Sequence, residues 1–281
     1  MELENKEPIM LYSDFRTTFN AVMNEDRVES VMKFIEYAIK NPYEIIGVDN
    51  LSTTEDTYIG RIRQSQEIKY GNAIEDALTL YIGLMGYKNL DKKIGKGPDG
   101  KELYADQVFM DEKKKIVYLI EQKKKDNHDS TKKRGQMINF KEKTKRLVKK
   151  YPGYKIVACM WFLNTYVKNK KFYLEEMAKN KNKGISMHLF YGEELFTKLF
   201  KRPDVWYEFL TYLRKVKKER SNTKITMPNF DTSPKVLKAL KQLKEKKPGA
   251  YKKLMSDKSE YILLRAELFP MGQNLAKVAR S

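Results

Sequence analysis

The sequence predicts a mixed α/β fold, in which one mixed sheet is flanked by helices, with N-terminal helices and a C-terminal helical appendage. Segments of helical and of strand periodicity alternate along the middle of the chain. Residues 154–163 are apolar on both faces of a strand, which is typical of the centre of a sheet. The 281 residues, 41% of them hydrophobic, suffice for one large core with helical additions.

The N-terminal part predicts helices around a polar stretch. Residues 11–45 contain two helical patterns, and the second has a broad apolar face. Residues 52–66 are polar. The next helix is predicted to begin at Gly71 or Asn72 and to end at Gly86, because apolar residues recur between them at helical spacing.

A β-hairpin follows. Residues 92–102, KKIGKGPDGKE, have the glycines and the Pro-Asp-Gly turn of a loop. Residues 103–110 and 116–123 then predict two strands, joined by a tight turn at 111–115.

The rest of the core alternates helix and strand. A basic amphipathic helix is predicted over 131–151, capped by Asp129 or Ser130. The following elements are a strand at 154–163, a helix at 172–179, a strand at 185–191, a helix at 193–200 and an aromatic-rich helix at 205–218. Ser233-Pro234 opens a further helix, and two short helices fill 250–269. We therefore divide the chain into an N-terminal helical segment (1–66), a core (67–221) and a helical appendage (222–281).

Charge is distributed unevenly. The net charge is +19, yet residues 1–60 hold five basic and twelve acidic residues. Residues 123–155 hold thirteen basic and three acidic residues, and residues 198–224 hold nine and three. A basic zone beside an acidic one predicts a surface that binds a polyanion.

Composition excludes several classes of protein. The longest apolar run has eight residues, too short for the roughly 20 that a membrane helix needs. One cysteine allows no internal disulfide and favours a reducing cytoplasm. With two histidines beside that cysteine, a Cys/His zinc site is all but excluded.

The end of the hairpin gathers charged side chains. Glu121 and Lys123 lie two residues apart and so project from the same strand face. Asp106 lies at the start of the partner strand, level with them. Two carboxylates suit a hard divalent cation such as Mg²⁺, and an ammonium beside them can orient water or stabilise charge on a phosphate.

These residues resemble the motif of the PD-(D/E)xK nuclease superfamily, whose order of helices and strands residues 71–200 follow. The run IEQKKKDNHDSTKKRGQ, residues 120–136, resembles type II restriction endonucleases. The resemblance implies that Asp106 and Glu121 hold Mg²⁺ and that Lys123 positions or activates water. It also implies that Glu75 on the preceding helix joins the site and assists the metal or the water. It further implies hydrolysis of double-stranded DNA by a homodimer, and a methyltransferase that protects the host genome.

The literal Pro-Asp pair lies elsewhere. Pro98-Asp99 is in the Gly-rich turn, whereas alanine precedes Asp106. We prefer Asp106 to Asp99, because an aspartate in a loop seven residues earlier is aimed less well at the end of the hairpin.

The basic helix is predicted to contact DNA. Its free N–H groups, next to several cations, would hold a phosphate. The predicted DNA-binding residues are Ser130, Thr131, Lys132, Lys133, Arg134, Gln136 and Asn139. The second basic segment, 198–224, would also hold DNA. The aromatic residues of 206–212 suit either the core or a dimer face.

Other functions are weaker fits. Gly95 to Lys101 match the start of a P-loop, but Glu102 stands where Ser or Thr should follow. His128 lacks the partners of a histidine-dependent nuclease. The open alternatives are a repair nuclease, resolvase or homing endonuclease on the same core, and a DNA-binding protein without catalysis.

Overall fold

The computed structural model describes residues 7–23, 27–97, 100–180, 184–220 and 225–280. Packing divides the chain into two compact units. Unit 1 comprises residues 1–22 and 71–221, and unit 2 comprises residues 23–70 and 222–281. Residues 23–70 therefore pack with the C-terminal residues, whereas the sequence analysis treated them as separate segments. The three-part division into residues 1–66, 67–221 and 222–281 stays a prediction.

A five-stranded mixed sheet is the centre of unit 1. The strands of the unit are β1 Lys88–Asn89, β2 Lys93–Lys96, β3 Glu102–Tyr104, β4 Gln107–Asp111, β5 Ile116–Lys123, β6 Lys155–Phe162 and β7 Ile185–Tyr191. The strand order in the sheet is β1-β4-β5-β6-β7. The pairs β1–β4 and β4–β5 are antiparallel, and the pairs β5–β6 and β6–β7 are parallel. Helices flank this sheet, which confirms the predicted mixed α/β fold.

The hairpin differs from its prediction in the first strand. Strand β5 and the turn at 111–115 match, but the segment 103–110 is divided into β3 and β4, and β3 pairs with β2 where a loop was expected. The division falls at Asp106, whose carboxylate accepts a hydrogen bond from the backbone N–H of Gln122 at 2.6 Å. This side-chain bond takes the place of a backbone pairing, so the ladder ends there.

The sheet is buried on both faces. One face packs on α5 (Ser130–Lys150) and α6 (Lys170–Ala178) through Phe140, Leu147 and Tyr173. The other face meets aromatic residues of the π-helix Leu195–Phe200 and of α7 (Pro203–Arg220). Three of the aromatic residues on α7, Trp206, Phe209 and Tyr212, are buried within this unit. They belong to the core and are not a free dimer face.

Helix α4 begins earlier than predicted. It runs from Thr54 to Leu84, 31 residues, and residues 54–70 belong to unit 2. The Thr53 hydroxyl caps it by accepting a bond from the Asp56 N–H at 3.0 Å. The stretch 54–66 has too many polar residues for an obvious helical pattern, but Tyr58 and Ile62, one turn apart, are buried. Tertiary packing therefore stabilises a helix that the local composition does not predict.

Unit 2 is a helical unit with its own apolar core. It contains α2 Arg27–Lys40, α3 Pro42–Ile45, α8 Pro234–Lys246, α9 Pro248–Leu254, α10 Ser259–Leu268 and α11 Gln273–Ala279. Phe34, Ile35, Leu240 and Leu264 are among its buried residues. Helices α9 and α10 match the two short predicted helices, whereas α11 was not predicted. In the described part of the chain, no helix has the length and apolar composition needed to cross a membrane.

Candidate active site

The three charged residues of the hairpin lie together at the end of β4 and β5. The ammonium Nζ of Lys123 is 2.8 Å from Glu121 Oε1 and 3.5 Å from Asp106 Oδ2. Glu121 and Lys123 share a strand face because they are two residues apart. Asp106 directly precedes β4, whose first residue Gln107 pairs with Ile120. The register of the hairpin therefore brings the three side chains together.

Burial and mutual interaction shift the pKa values of the residues in this cluster. Glu121 is 6% exposed, while the side chains of Asp106 and Lys123 keep about a quarter of their surface. Burial and repulsion from Glu121 raise the pKa of the Asp106 carboxyl. Burial lowers the pKa of the Lys123 ammonium, but Glu121 and Asp106 outweigh it, and the net shift is upward. Lys123 is therefore a protonated hydrogen-bond donor at neutral pH.

A second lysine, which the sequence analysis missed, completes the cluster. Lys143 of α5 is 4% exposed, and its Nζ lies 2.6 Å from Glu121 Oε2. The sequence carries a signal for it, because Lys143 falls one turn from Phe140 and Leu147 on the apolar face of α5. A lysine within such a face predicts a buried partner of opposite charge.

Glu75 lies beside the cluster but is held by a different lysine. Its Oε1 is 2.6 Å from the Nζ of Lys92. Burial raises the pKa of the Glu75 carboxyl, Lys92 opposes that shift, and repulsion from Asp106 and Asp76 adds to it. The buried Gln107 connects α4 to β4 by donating to the Glu75 carbonyl at 2.6 Å. Glu75 is thus anchored close enough for its charge to interact with Asp106.

The available donors match a hard divalent cation. No group of three or more His, Cys, Asp or Glu side chains suited to a metal occurs among the residues that the structure describes. Asp106 and Glu121 supply two carboxylates, and Mg²⁺ takes one or two carboxylates while keeping waters and phosphate oxygens. The alternative carboxylate, Asp99, lies outside the described residues together with Pro98.

A buried aspartate holds the segment that leads from β5 to α5. Asp126 is fully buried, and its carboxylate accepts hydrogen bonds from the Asn169 N–H and side-chain amide, the Lys168 N–H and the Tyr191 hydroxyl, at 2.7 to 3.0 Å. Asn169 also donates to the His128 carbonyl at 3.2 Å. The sequence analysis gave Asp126 no role, since these partners lie about 40 or more residues away.

The predicted DNA-binding residues follow this segment on α5. Asp129 caps the helix by accepting a bond from the Lys132 N–H at 2.8 Å. Two predicted residues bond to distant parts of the chain, because Lys133 donates to Asn169 and Gln136 accepts from Tyr173. The other five are exposed: Ser130, Thr131, Lys132, Arg134 and Asn139. Of these, Lys132 lies 3.8 Å from Asp129, and Arg134 donates to the Ser130 carbonyl at 3.0 Å.

Comparison with known proteins gives a family match for the segment that contains most of the cluster. Residues 92–217 match the model of the HinfI family of type II restriction endonucleases. The matched segment contains Asp106, Glu121, Lys123 and Lys143, and Glu75 lies before it. Among curated proteins, none matches the chain. The match over residues 92–217 supports a type II restriction endonuclease and indicates a site-specific deoxyribonuclease, an activity that implies double-stranded DNA as the substrate.

Proposed function

We propose that the protein is a Mg²⁺-dependent endonuclease of the PD-(D/E)xK superfamily that cuts both strands of DNA at a specific site. One observation carries the proposal: the end of the hairpin brings two carboxylates, Asp106 and Glu121, within 3.5 Å of one ammonium, Lys123 Nζ. Removing three charges from water is costly unless they pair or bind an ion, so this grouping suits a binding function.

In the proposed site, Asp106 and Glu121 hold the ion with their carboxylate oxygens. When bound, Mg²⁺ would supply Lewis-acid stabilisation of the phosphate and activation of a water. The Lys123 ammonium donates hydrogen bonds toward the attacking water or the charge that develops on the phosphate. Glu75 is proposed to assist by orienting water or a ligand of the ion, since burial and the neighbouring Asp106 favour its protonated form relative to a free glutamate.

The N-terminus of α5 is proposed to bind the DNA backbone. It begins within ten residues of Lys123, and Ser130, Thr131, Lys132, Arg134 and Asn139 are exposed along its first turns. Free N–H groups and adjacent cations favour a phosphate at such a position. Lys133 and Gln136 would contact DNA only by exchanging their present partners. The segment 198–224 is proposed as a second DNA contact.

Two partners follow from the proposed activity. Cleavage of both strands at a palindromic site is achieved by a homodimer, whose two-fold axis matches that of the site. A companion methyltransferase would modify the same site in the host genome. Both proposals, like a cytoplasmic location, are implied by the activity and by the resemblance to restriction enzymes.

The experiment that tests the function is digestion of phage and plasmid DNA by the purified protein, with Mg²⁺ or with EDTA. We expect discrete fragments with common end sequences in Mg²⁺ and intact DNA in EDTA. Structure-dependent nicks without common ends would favour a repair nuclease or resolvase. DNA binding without cleavage in Mg²⁺ or Mn²⁺ would favour a non-catalytic binding protein and contradict the proposal.

The phosphate contact predicts a defined effect of salt. Replacing both Lys132 and Arg134 with alanine should weaken DNA binding for all sequences. The slope of log K against log salt concentration should become shallower by about 2, because each phosphate contact contributes about 0.9 to its magnitude. Fluorescence anisotropy in EDTA measures the slope without cleavage.

The matched control is Lys149→Ala, which removes a charge from an exposed residue at the other end of α5. It should leave the slope nearly unchanged. Equal slopes for the double variant and the wild type, or an equal change in the control, would show that the N-terminus of α5 does not bind phosphate.

A further inference from the structure

The second lysine of the cluster is a buried cation that the proposed reaction does not yet use. Lys143 belongs to α5, at a position where its helix neighbours Phe140 and Leu147 are fully buried. Burying an ammonium is costly unless a partner compensates for the lost water. The compensating partner is Glu121, whose Oε2 lies 2.6 Å from Lys143 Nζ.

Glu121 therefore carries one ammonium on each carboxylate oxygen. Lys123 contacts Oε1 at 2.8 Å, and Lys143 contacts Oε2 at 2.6 Å. Contacts at both oxygens restrict the rotation of the carboxylate as well as its position, in the way that outer hydrogen bonds orient the ligands of metal sites. The two lysines also offset the two negative charges of Asp106 and Glu121. Burial and the repulsion between the carboxylates raise the pKa of Asp106, and both lysines oppose that shift.

Lys143 further connects two parts of the proposed site. It lies on the helix whose first two turns hold the exposed Lys132 and Arg134, and its partner lies on β5. A purely structural role would not require a charge here, because well-packed apolar residues commonly replace a buried ion pair without loss of stability.

We propose that Lys143 is a positioning residue for DNA cleavage, which holds the Glu121 carboxylate in the orientation that the reaction needs. The inference rests on the proposed function of Glu121. It assigns to α5 a role in the geometry of the catalytic strand, in addition to its proposed contact with DNA.

The test compares Lys143→Met and Lys143→Arg with Lys145→Met, which removes a charge from an exposed residue of the same helix. We expect Lys143→Met to lower kcat by about 10- to 100-fold, the effect typical of residues that orient metal ligands, with KM for DNA changed by less than about threefold. The arginine, which keeps the charge, should restore part of kcat. Lys145→Met should cleave like the wild type.

A second measurement does not depend on cleavage. Thermal unfolding in EDTA is compared for the wild type, Lys143→Met, Glu121→Gln and the double variant. Glu121→Gln removes the buried charge that Lys143 compensates. The decrease in Tm caused by Lys143→Met should therefore be smaller in the Glu121→Gln variant than in the wild type, by at least about 3 °C. This comparison also serves if Lys143→Met folds poorly, since the double variant is then expected to fold better.

Two results would overturn the inference. One is that the wild type cleaves DNA and the Lys143→Met variant cleaves it with the same kcat. The other is additive Tm changes in the four-protein comparison, because the pair would then have no coupling. If the wild type itself fails to cleave while the Tm changes are coupled, the proposed function fails but Lys143 still holds Glu121.

Discussion

Replacing Asp106 with asparagine is expected to lower the rate of DNA cleavage by about 100- to 1,000-fold, the effect of removing one group that stabilises a transition state electrostatically. The variant keeps the shape of the side chain and an oxygen that can accept from the Gln122 N–H, but it loses the negative charge. Single-turnover cleavage in Mg²⁺, with protein in excess over DNA, measures this rate without interference from product release.

The same variant should be at least as stable as the wild type. Burial and Glu121 raise the pKa of Asp106, which means that folding disfavours its ionised form at neutral pH. Neutralising the side chain therefore removes an unfavourable charge. We expect Tm in EDTA to be unchanged or higher, so that activity and stability change in opposite directions.

Asp111→Asn is the matched control at the other end of β4. Hydrogen bonds from Lys114 lower the pKa of Asp111, so its charge is favoured in the folded protein and the variant should be slightly less stable. Its cleavage rate should equal that of the wild type. Cleavage by Asp106→Asn at the wild-type rate, or an equal loss in Asp111→Asn, would remove Asp106 from the proposed site.

Replacing Asp126 with alanine should destabilise unit 1 by about 3 kcal/mol, because several buried donors, Tyr191 and Asn169 among them, lose a charged acceptor. Urea unfolding followed by tryptophan fluorescence measures this loss. The chain has two tryptophans, Trp161 and Trp206, and both lie in unit 1, so the signal reports on that unit.

Asp129→Ala provides the comparison three residues later. Asp129 is exposed and caps α5 through the Lys132 N–H, so its loss should destabilise the protein much less than the loss of Asp126. We also expect Asp126→Ala to bind DNA more weakly at temperatures where it is folded, since the segment before α5 loses its anchor to Asn169. Equal and small changes in the two variants would show that the buried network contributes little.

Local patterns predicted much of this fold. The apolar run of β5, the doubly apolar run of β6 and the apolar stripe of α5 each reflect interactions between residues close in the chain. The hairpin prediction extends to the cluster, because period 2 places Glu121 and Lys123 on one face and a short turn brings Asp106 level with them. What the sequence could not show was the break between β3 and β4, which depends on a bond from Gln122 to a residue 16 positions earlier.

Long-range packing decided the rest. The start of α4 at Thr54 and the grouping of residues 23–70 with 222–281 follow from apolar contacts between distant segments. Lys143 and Asp126 were both visible as charged residues in α5 and after β5, but their partners are 22 and more than 40 residues away.

The sequence by itself therefore determined the mixed α/β class, the charged hairpin end and its likeness to restriction enzymes, since these depend on strand periodicity, turns and residue type. Three pairings became visible only in the folded protein: Lys143 with Glu121, Lys92 with Glu75, and Asp126 with Asn169 before α5. The physical reason is that a buried charge must find a compensating partner in space, and the pattern of residues along the chain does not specify which distant partner the packing supplies.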